Sequence, residues 1–306
     1  MNKSTFHLMK VPVISIGSSV PRDHFDATIH SVFDSSINLH LAPQGGLLTI
    51  LISDHDDLPQ GIRLDVRKLP LWSLPVGLRA VCRNGILRFD ASPLSIDLRG
   101  ARSWDGRLPP VAIDMQKPST ERAWSIVWQT LNKQQRLKQT DLVANDLFQQ
   151  DEGSLLTRKL SLPVQELIAA TERLDPHTST MAARKMIGLG PGVTPSGDDI
   201  LIGYLAGLRG AAAQDDRRLA FLSTFGESLS KCTKDINEIS RTYLHHAIKG
   251  EFSSSIIRLA SAISGGEQQR LMSAAKGAMR AGHSSGMDAV TGLLIGLAVW
   301  GKSSYP

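Results

Sequence analysis

Two short strings hold most of the side chains that could do chemistry together. Thr194, Ser196, Asp198 and Asp199 stand in Gly188-Leu-Gly-Pro-Gly-Val-Thr-Pro-Ser-Gly-Asp-Asp, and His283, Ser284, Ser285 and Asp288 stand in Gly282-His-Ser-Ser-Gly-Met-Asp. Hydroxyls donate hydrogen bonds to anions, and carboxylates and imidazoles move protons. Two chemistries are open at the first string. One is an anion cradle, in which backbone N–H groups around Gly190, Gly192 and Gly197 join the Thr194 and Ser196 hydroxyls at a helix start to gather phosphate or carboxylate. The other places Asp198 and Asp199 on a magnesium ion that itself carries a phosphate. They compete, because bare carboxylates repel an anion. No Gly-Lys-Ser/Thr follows, so the loop is not a P-loop, and no βαβ unit frames it as a dinucleotide fingerprint.

The two strings are related. Shifted by 89 positions, Ser196, Gly197, Asp199, Gly203, Gly207 and Leu208 fall on Ser285, Gly286, Asp288, Gly292, Gly296 and Leu297. The shared pattern S-G-x-D-x-x-x-G-x-x-x-G-L predicts two equivalent loop–helix elements, packed through bare glycine faces with their starts side by side, so that a composite site can form. Both Ser/Asp pairs also have the spacing of capping boxes, which would give Asp199 and Asp288 a purely structural task. Asp198 is not needed by that box. His283 is a candidate general acid or base against the plainer expectation of a solvated loop histidine. Ser240, in Ile239-Ser-Arg-Thr-Tyr243, could join an anion grip, whereas Arg241 is expected on a solvated helix face.

These elements need a scaffold. The chain has 306 residues, 42% apolar and 21% charged, which is globular and large enough for two domains. Its net charge of +5 is spread evenly, without a basic and aromatic cluster, so no nucleic-acid surface is expected. Cys82 and Cys232 lie in no metal or disulfide spacing. The N-terminus lacks a signal-peptide core and no apolar run is long enough to span a bilayer, so a soluble, cytoplasmic chain without membrane partners is expected.

Residues 1–118 read as a β-rich barrel or sandwich. Strands are expected over 11–16, 37–41, 47–52, 62–66 and 95–98, with an Asn84-Gly85 hairpin joining 78–81 to 86–89 and one short helix over 22–33. Residues 119–306 read as an all-helical domain. Helices are expected from Ser119 or Thr120, over 137–147, from Ser161 with Pro163 to Leu174, from Thr178 or Ser179 to Gly188, and over 216–233, 236–249, 253–263 and 267–281. The fold class is thus α+β.

The first string resembles the signature of the AllH family, and the second resembles its second signature. Ile239-Ser240, Tyr243-Leu244, Ala247 and Gly250 between them are similar to the family's central helix, in the same order and spacing. Asn237 and Met287 depart from that pattern, which usually has Thr and an aromatic there. The resemblance implies a subunit of oxamate carbamoyltransferase of anaerobic allantoin degradation, which converts oxalurate and phosphate to oxamate and carbamoyl phosphate. It also implies FdrA-like partner subunits and small anionic substrates. On that reading Asp198, Asp199, His283 and Asp288 are the catalytic candidates. Gly190, Gly192, Thr194, Ser196, Gly197, Ser240, Ser284 and Ser285 are the anion-binding ones, and magnesium on Asp198 and Asp199 is the one candidate cofactor. A non-catalytic scaffold or regulatory subunit, and a free-standing magnesium–phosphate enzyme, are the alternatives.

Overall fold

The computed structural model describes residues 9–43, 45–69, 74–90, 92–109, 113–149, 153–212, 214–265 and 267–301. By contact the chain divides into Met1–Gly106 and Arg107–Pro306. The expected mixed α+β class holds, with strands in the first unit and helices in the second.

The first unit is one curled sheet. Its strands are β1 (Met9–Val11), β2 (Val13–Gly17), β3 (His24–Val32), β4 (Ser36–Ala42), β5 (Leu47–Leu51), β6 (Gly61–Leu64), β7 (Arg79–Arg83), β8 (Ile86–Phe89), β9 (Leu94–Asp97) and β10 (Arg102–Trp104). They lie in the order β1-β9-β8-β7-β3-β4-β5-β6-β2-β10. Pro12 explains the curl. The single strand expected over 11–16 breaks at this residue, which cannot donate a ladder hydrogen bond. β1 then pairs with β9 at one end of the order and β2 with β6 and β10 at the other. One residue spans only about 3.5 Å, so the sheet must bend until its two ends are neighbours. Ile16, Ile29, Ile37, Leu39, Ile50, Ile62, Leu87 and Ile96 fill the concave side.

The expected helix over 22–33 is a strand instead. Phe25, Ala27 and Ile29 are buried and their neighbours are not, a period of two that a helix cannot satisfy. The Asn84-Gly85 turn forms as expected, both residues at positive φ (51° and 72°), between β7 and β8. One buried carboxylate binds distant parts of this sheet together. Asp57 accepts from the Ser15 hydroxyl and pairs with Arg63 Nε at 3.0 Å and Arg102 at 3.1 Å. Asp57→Ala removes the acceptor that Ser15, Arg63 and Arg102 share and is expected to cost about 1–3 kcal/mol. Native-state hydrogen exchange on β5 and β6 reads it; unchanged protection there would contradict the assignment.

The second unit holds α1 (Pro118–Leu137), α2 (Leu155–Glu172), α3 (Pro176–Met186), α4 (Ser196–Ala212), α5 (Asp216–Lys231), α6 (Glu238–Ile248), α7 (Ser254–Gly265), α8 (Gln268–Ala278) and α9 (Ser285–Ala298). The segment before α1 belongs with these helices: Leu108 and Ile113 donate their amides to Gly250 and Gly210, and Ile113 and Met115 enter the core. No helix among the described residues is long and apolar enough to cross a membrane.

Several expected starts move. Pro118 opens α1 at its first position, ahead of Ser119 and Thr120. The helix expected over 137–147 does not continue. Gln139 turns at φ 51° and a single 3-10 turn, Asn145–Phe148, follows. α2 begins well before Ser161, because Ser154 accepts from the Thr157 amide at 3.1 Å, which leaves Pro163 inside the helix. α3 is capped by Asp175, whose carboxylate takes the amides of His177 and Thr178, rather than by Thr178 or Ser179.

α4 and α9 lie at the centre, parallel and in backbone contact. A Cβ built on Gly203 would overlap the Ala289 carbonyl, one on Gly292 the Ile200 carbonyl, and those on Gly207 and Gly296 the carbonyls of Leu293 and Tyr204. Residue numbers rise together along the contact, so the two helix starts lie side by side. Trp124 donates from α1 to the Leu294 carbonyl at 2.7 Å, and Tyr204 donates to Thr171 at 2.8 Å, which locks the pair to its surroundings.

Candidate functional site

The loop into α4 turns on Gly188, Gly190 and Gly192, at φ 75°, 119° and 94°. At Gly190 glycine is needed twice over, for the backbone angle and because a Cβ would lie 2.7 Å from the Ser196 nitrogen. The loop is tied down from three directions. Gly188 N–H donates to Asp198 Oδ1 at 2.8 Å, Gly197 N–H to the Leu189 carbonyl at 2.8 Å, and Asn237 Nδ2 to the Val193 carbonyl at 2.9 Å. Asn237 also caps α6, accepting from the Ser240 amide. Asn237 thus holds the loop against α6.

Neither Ser/Asp pair forms a capping box. The Asp199 amide donates to the Pro195 carbonyl at 3.1 Å and the Asp288 amide to the Ser284 carbonyl at 3.0 Å. The hydroxyls are released to face across the pair of helices. Ser285 and Thr194 lie against Asp199, while Ser196 and Ser284 lie against Asp288. Thr194 Oγ1 and Ser285 Oγ meet at 2.8 Å. Ser196 and Ser285 therefore each serve the aspartate of the other helix, while Thr194 and Ser284 serve the aspartate of their own.

The carboxylates are closed off and short of partners. Exposure is 6% at Asp199, 1% at Asp288 and nil at Asp198 and Ser240. Among the described residues Asp199 Oδ2, Asp198 Oδ2, both oxygens of Asp288 and Ser240 Oγ have no hydrogen-bond partner. The facing hydroxyls act on these charges without completing hydrogen bonds to those atoms. Burial raises the Asp198 carboxyl, against the Gly188 amide and the Ser240 hydroxyl. Burial, then the neighbouring Asp288, raises Asp199 well above the usual carboxylate range. Burial pushes Asp288 up to about 6, against Ser196 and Ser284 and helped by Asp141. The positive ends of two parallel helices would favour charge here, yet loss of water outweighs them. Near neutral pH the pair can hold a proton, and a protonated carboxyl is a hydrogen-bond donor.

Asp198 and Asp199 do not converge on one point. Neighbours on a helix point about 100° apart; Asp198 turns to Gly188 and Ser240, and Asp199 to α9. Among the described residues no group of three His, Cys, Asp or Glu side chains is arranged to hold a metal ion. The geometry thus does not match the magnesium pair expected from the sequence. The amide cradle is also smaller than expected, because Gly197 N–H is spent on Leu189. Gly190 and Gly192 keep amides that no described group takes, and the hydroxyls of Thr194, Ser284 and Ser285 are half-buried at the mouth. His283 lies exposed in the turn before α9. Asp141, near enough to act on Asp288, was not expected at the site; its exposed loop position between two helices carries no periodic or spacing signal.

Two family models match the chain. One, described as oxamate carbamoyltransferase subunit AllH, covers residues 186–297, and the other, the AllH family N-terminal domain, covers residues 12–103. No solved structure matches. The first match begins at Met186, whose carbonyl packs on Gly197, and ends at Leu297, past the last glycine contact of α9. It therefore contains both helix starts and every carboxylate of the cluster except Asp141, and together with the match on the curled sheet it places this chain in the AllH family.

Proposed function

We propose that this chain is a carbamoyltransferase subunit whose paired helix starts bind the carbamoyl donor and phosphate. The observation that carries the reading is the exchange of serine and aspartate partners between α4 and α9, which leaves buried carboxylates unpaired and raised. Unsatisfied buried polar groups are costly to stability and are retained where they act on a ligand. The family description supplies the reaction class.

The phosphorolysis of oxalurate makes two demands. The attacked ureido carbonyl develops negative charge, and the departing amide nitrogen of oxamate needs a proton. Hydroxyls of Thr194, Ser284 and Ser285 with the uncommitted amides of Gly190 and Gly192 suit the first. A carboxyl titrating near 6, as at Asp288, with Asp199 beside it, suits the second, because general acids work best near the ambient pH. The cluster is nearly closed, so substrate meets it at the loop mouth, where partner subunits of the FdrA-like kind would complete the enclosure.

The test is made on the assembled enzyme. Carbamoyl phosphate formation from oxalurate and phosphate is measured with wild-type chain and with Asp199→Asn. Loss of at least a hundredfold in kcat with assembly intact is expected. Full activity of Asp199→Asn in the intact assembly would sink the catalytic reading and leave the scaffold one.

A further inference from the structure

At the far end of α4, about 20 Å from Ser196 along the helix axis, a depression of about 500 Å3 opens between α4, α5 and α6. This volume lies in the range of small-molecule sites. Among the described residues its lining carries two cations, Arg209 and Lys249, and one carboxylate, Glu227, with the His245 ring beside them, its pKa lowered by burial and by Lys249. Leu222 and Ile248 give it an apolar floor, and Ser223 and Ser230 add hydroxyls along the same face of α5.

Arg209 is the unusual member. It is half-buried, and among the described residues no carboxylate pairs with it and no hydrogen bond holds it. A cation in the last turn of a helix is favoured by the dipole, but that benefit needs no burial. The bare backbone of Gly250 leaves room for this side chain. A Cβ on Gly250 would lie 2.6 Å from Arg209 Nε and 2.8 Å from both Cδ and Cζ, and Gly250 itself sits at φ 82°. Any other residue at 250 would push the guanidinium out of its seat. A half-buried planar fork that no described carboxylate pairs with matches the oxyanion of a carboxylate or phosphate.

We infer that this depression is a second ligand site, separate from the helix-start cluster, for a small organic molecule carrying a carboxylate or phosphate on a short apolar body. Arg209 grips the oxyanion, Lys249 adds charge at the rim, and the body lies on Leu222 and Ile248. The inference does not depend on the carbamoyl reading, since no residue is shared between the two sites.

Isothermal titration at fixed chloride concentration tests it, with inorganic phosphate, succinate and phenyl phosphate as probes on wild type, Arg209→Gln, Lys249→Gln and Ser196→Ala. Phenyl phosphate or succinate should bind the wild type at least tenfold more tightly than phosphate. Arg209→Gln should weaken that binding tenfold or more, and Lys249→Gln, an exposed change that leaves folding alone, about threefold. Ser196→Ala should leave it unchanged. Binding equal in wild type and both basic-residue variants, binding lost only in Ser196→Ala, or no binding of any probe to the wild type, each overturns the inference. The succinate and phenyl phosphate arms separate carboxylate from phosphate recognition.

Discussion

Asp288→Asn is expected to make the protein more stable at pH 8 while abolishing its activity. The native Asp288 carboxyl titrates at about 6 because burial penalises its charge, whereas an unfolded aspartate titrates near 3.9. Its folded pKa is raised, so between these values the folded chain holds a proton that the unfolded chain has released. Stability is therefore fully present below about pH 4 and is lost as pH rises to about 6. Two pH units correspond to about 3 kcal/mol, an upper figure for a group this deeply buried. Asparagine has no charge to bury. Urea melts should show the variant ahead of wild type by roughly 1–3 kcal/mol at pH 8 and level with it near pH 4. The activity loss should accompany this gain, the mark of a site kept at a cost to stability. A variant less stable than wild type at pH 8 would mean that a cation or a structural bond compensates Asp288, and the proton-donor role would go with it.

The parts of the fold that could be read from the sequence are those with local causes. Asn84-Gly85 must turn, since both residues accept positive φ, and the hairpin is there. The repeat in Gly203/Gly207 and Gly292/Gly296 says that two backbones touch, and they do. What stayed hidden depends on distant partners. Nothing near Pro12 says that its two sides join opposite ends of a sheet. Arg102–Trp104 is too short and polar to read as a strand, and forms only because β2 offers it an edge. Pro163 reads as a helix start, and only the packing of Leu160, Val164 and Leu167 carries α2 through it.

At the site the residue types were readable and their partners were not. Serine three residues before aspartate has the same spacing whether it caps its own helix or serves another. The difference lies in Pro195 and Ser284, whose carbonyls take the first-turn amides and free the hydroxyls. Asp198 and Asp199 look like a pair in sequence, yet helix geometry divides them between Gly188 and α9. The real pair, Asp199 with Asp288, is separated by 89 positions and becomes visible only through the repeat.

Gly203→Ala is expected to destabilise the helical unit by about 3–5 kcal/mol, against the general rule. In an isolated helix alanine is better than glycine by roughly 1 kcal/mol. At this position the added methyl meets the Ala289 carbonyl, a backbone atom that cannot rotate away, and the Leu293 nitrogen lies 2.8 Å off. Relief requires α4 and α9 to separate, which opens a gap along Gly207 and Gly296 and costs packing on both. Gly292→Ala meets the Ile200 carbonyl in the mirrored position and should cost about the same. Because one separation relieves both clashes, the double variant should lose less than the sum, with at least 1 kcal/mol of coupling in a double-mutant cycle. Gly277→Ala in α8 is the control. A Cβ there has open space, so helix propensity alone decides and the variant should gain a few tenths of a kcal/mol. Urea unfolding followed by circular dichroism measures all four. Separation also draws Ser196 away from Asp288 and Ser285 away from Asp199, so activity should fall further than stability in any variant that still folds. A neutral Gly203→Ala would mean the helices are not in contact, and the shared site built on that contact would fall with it.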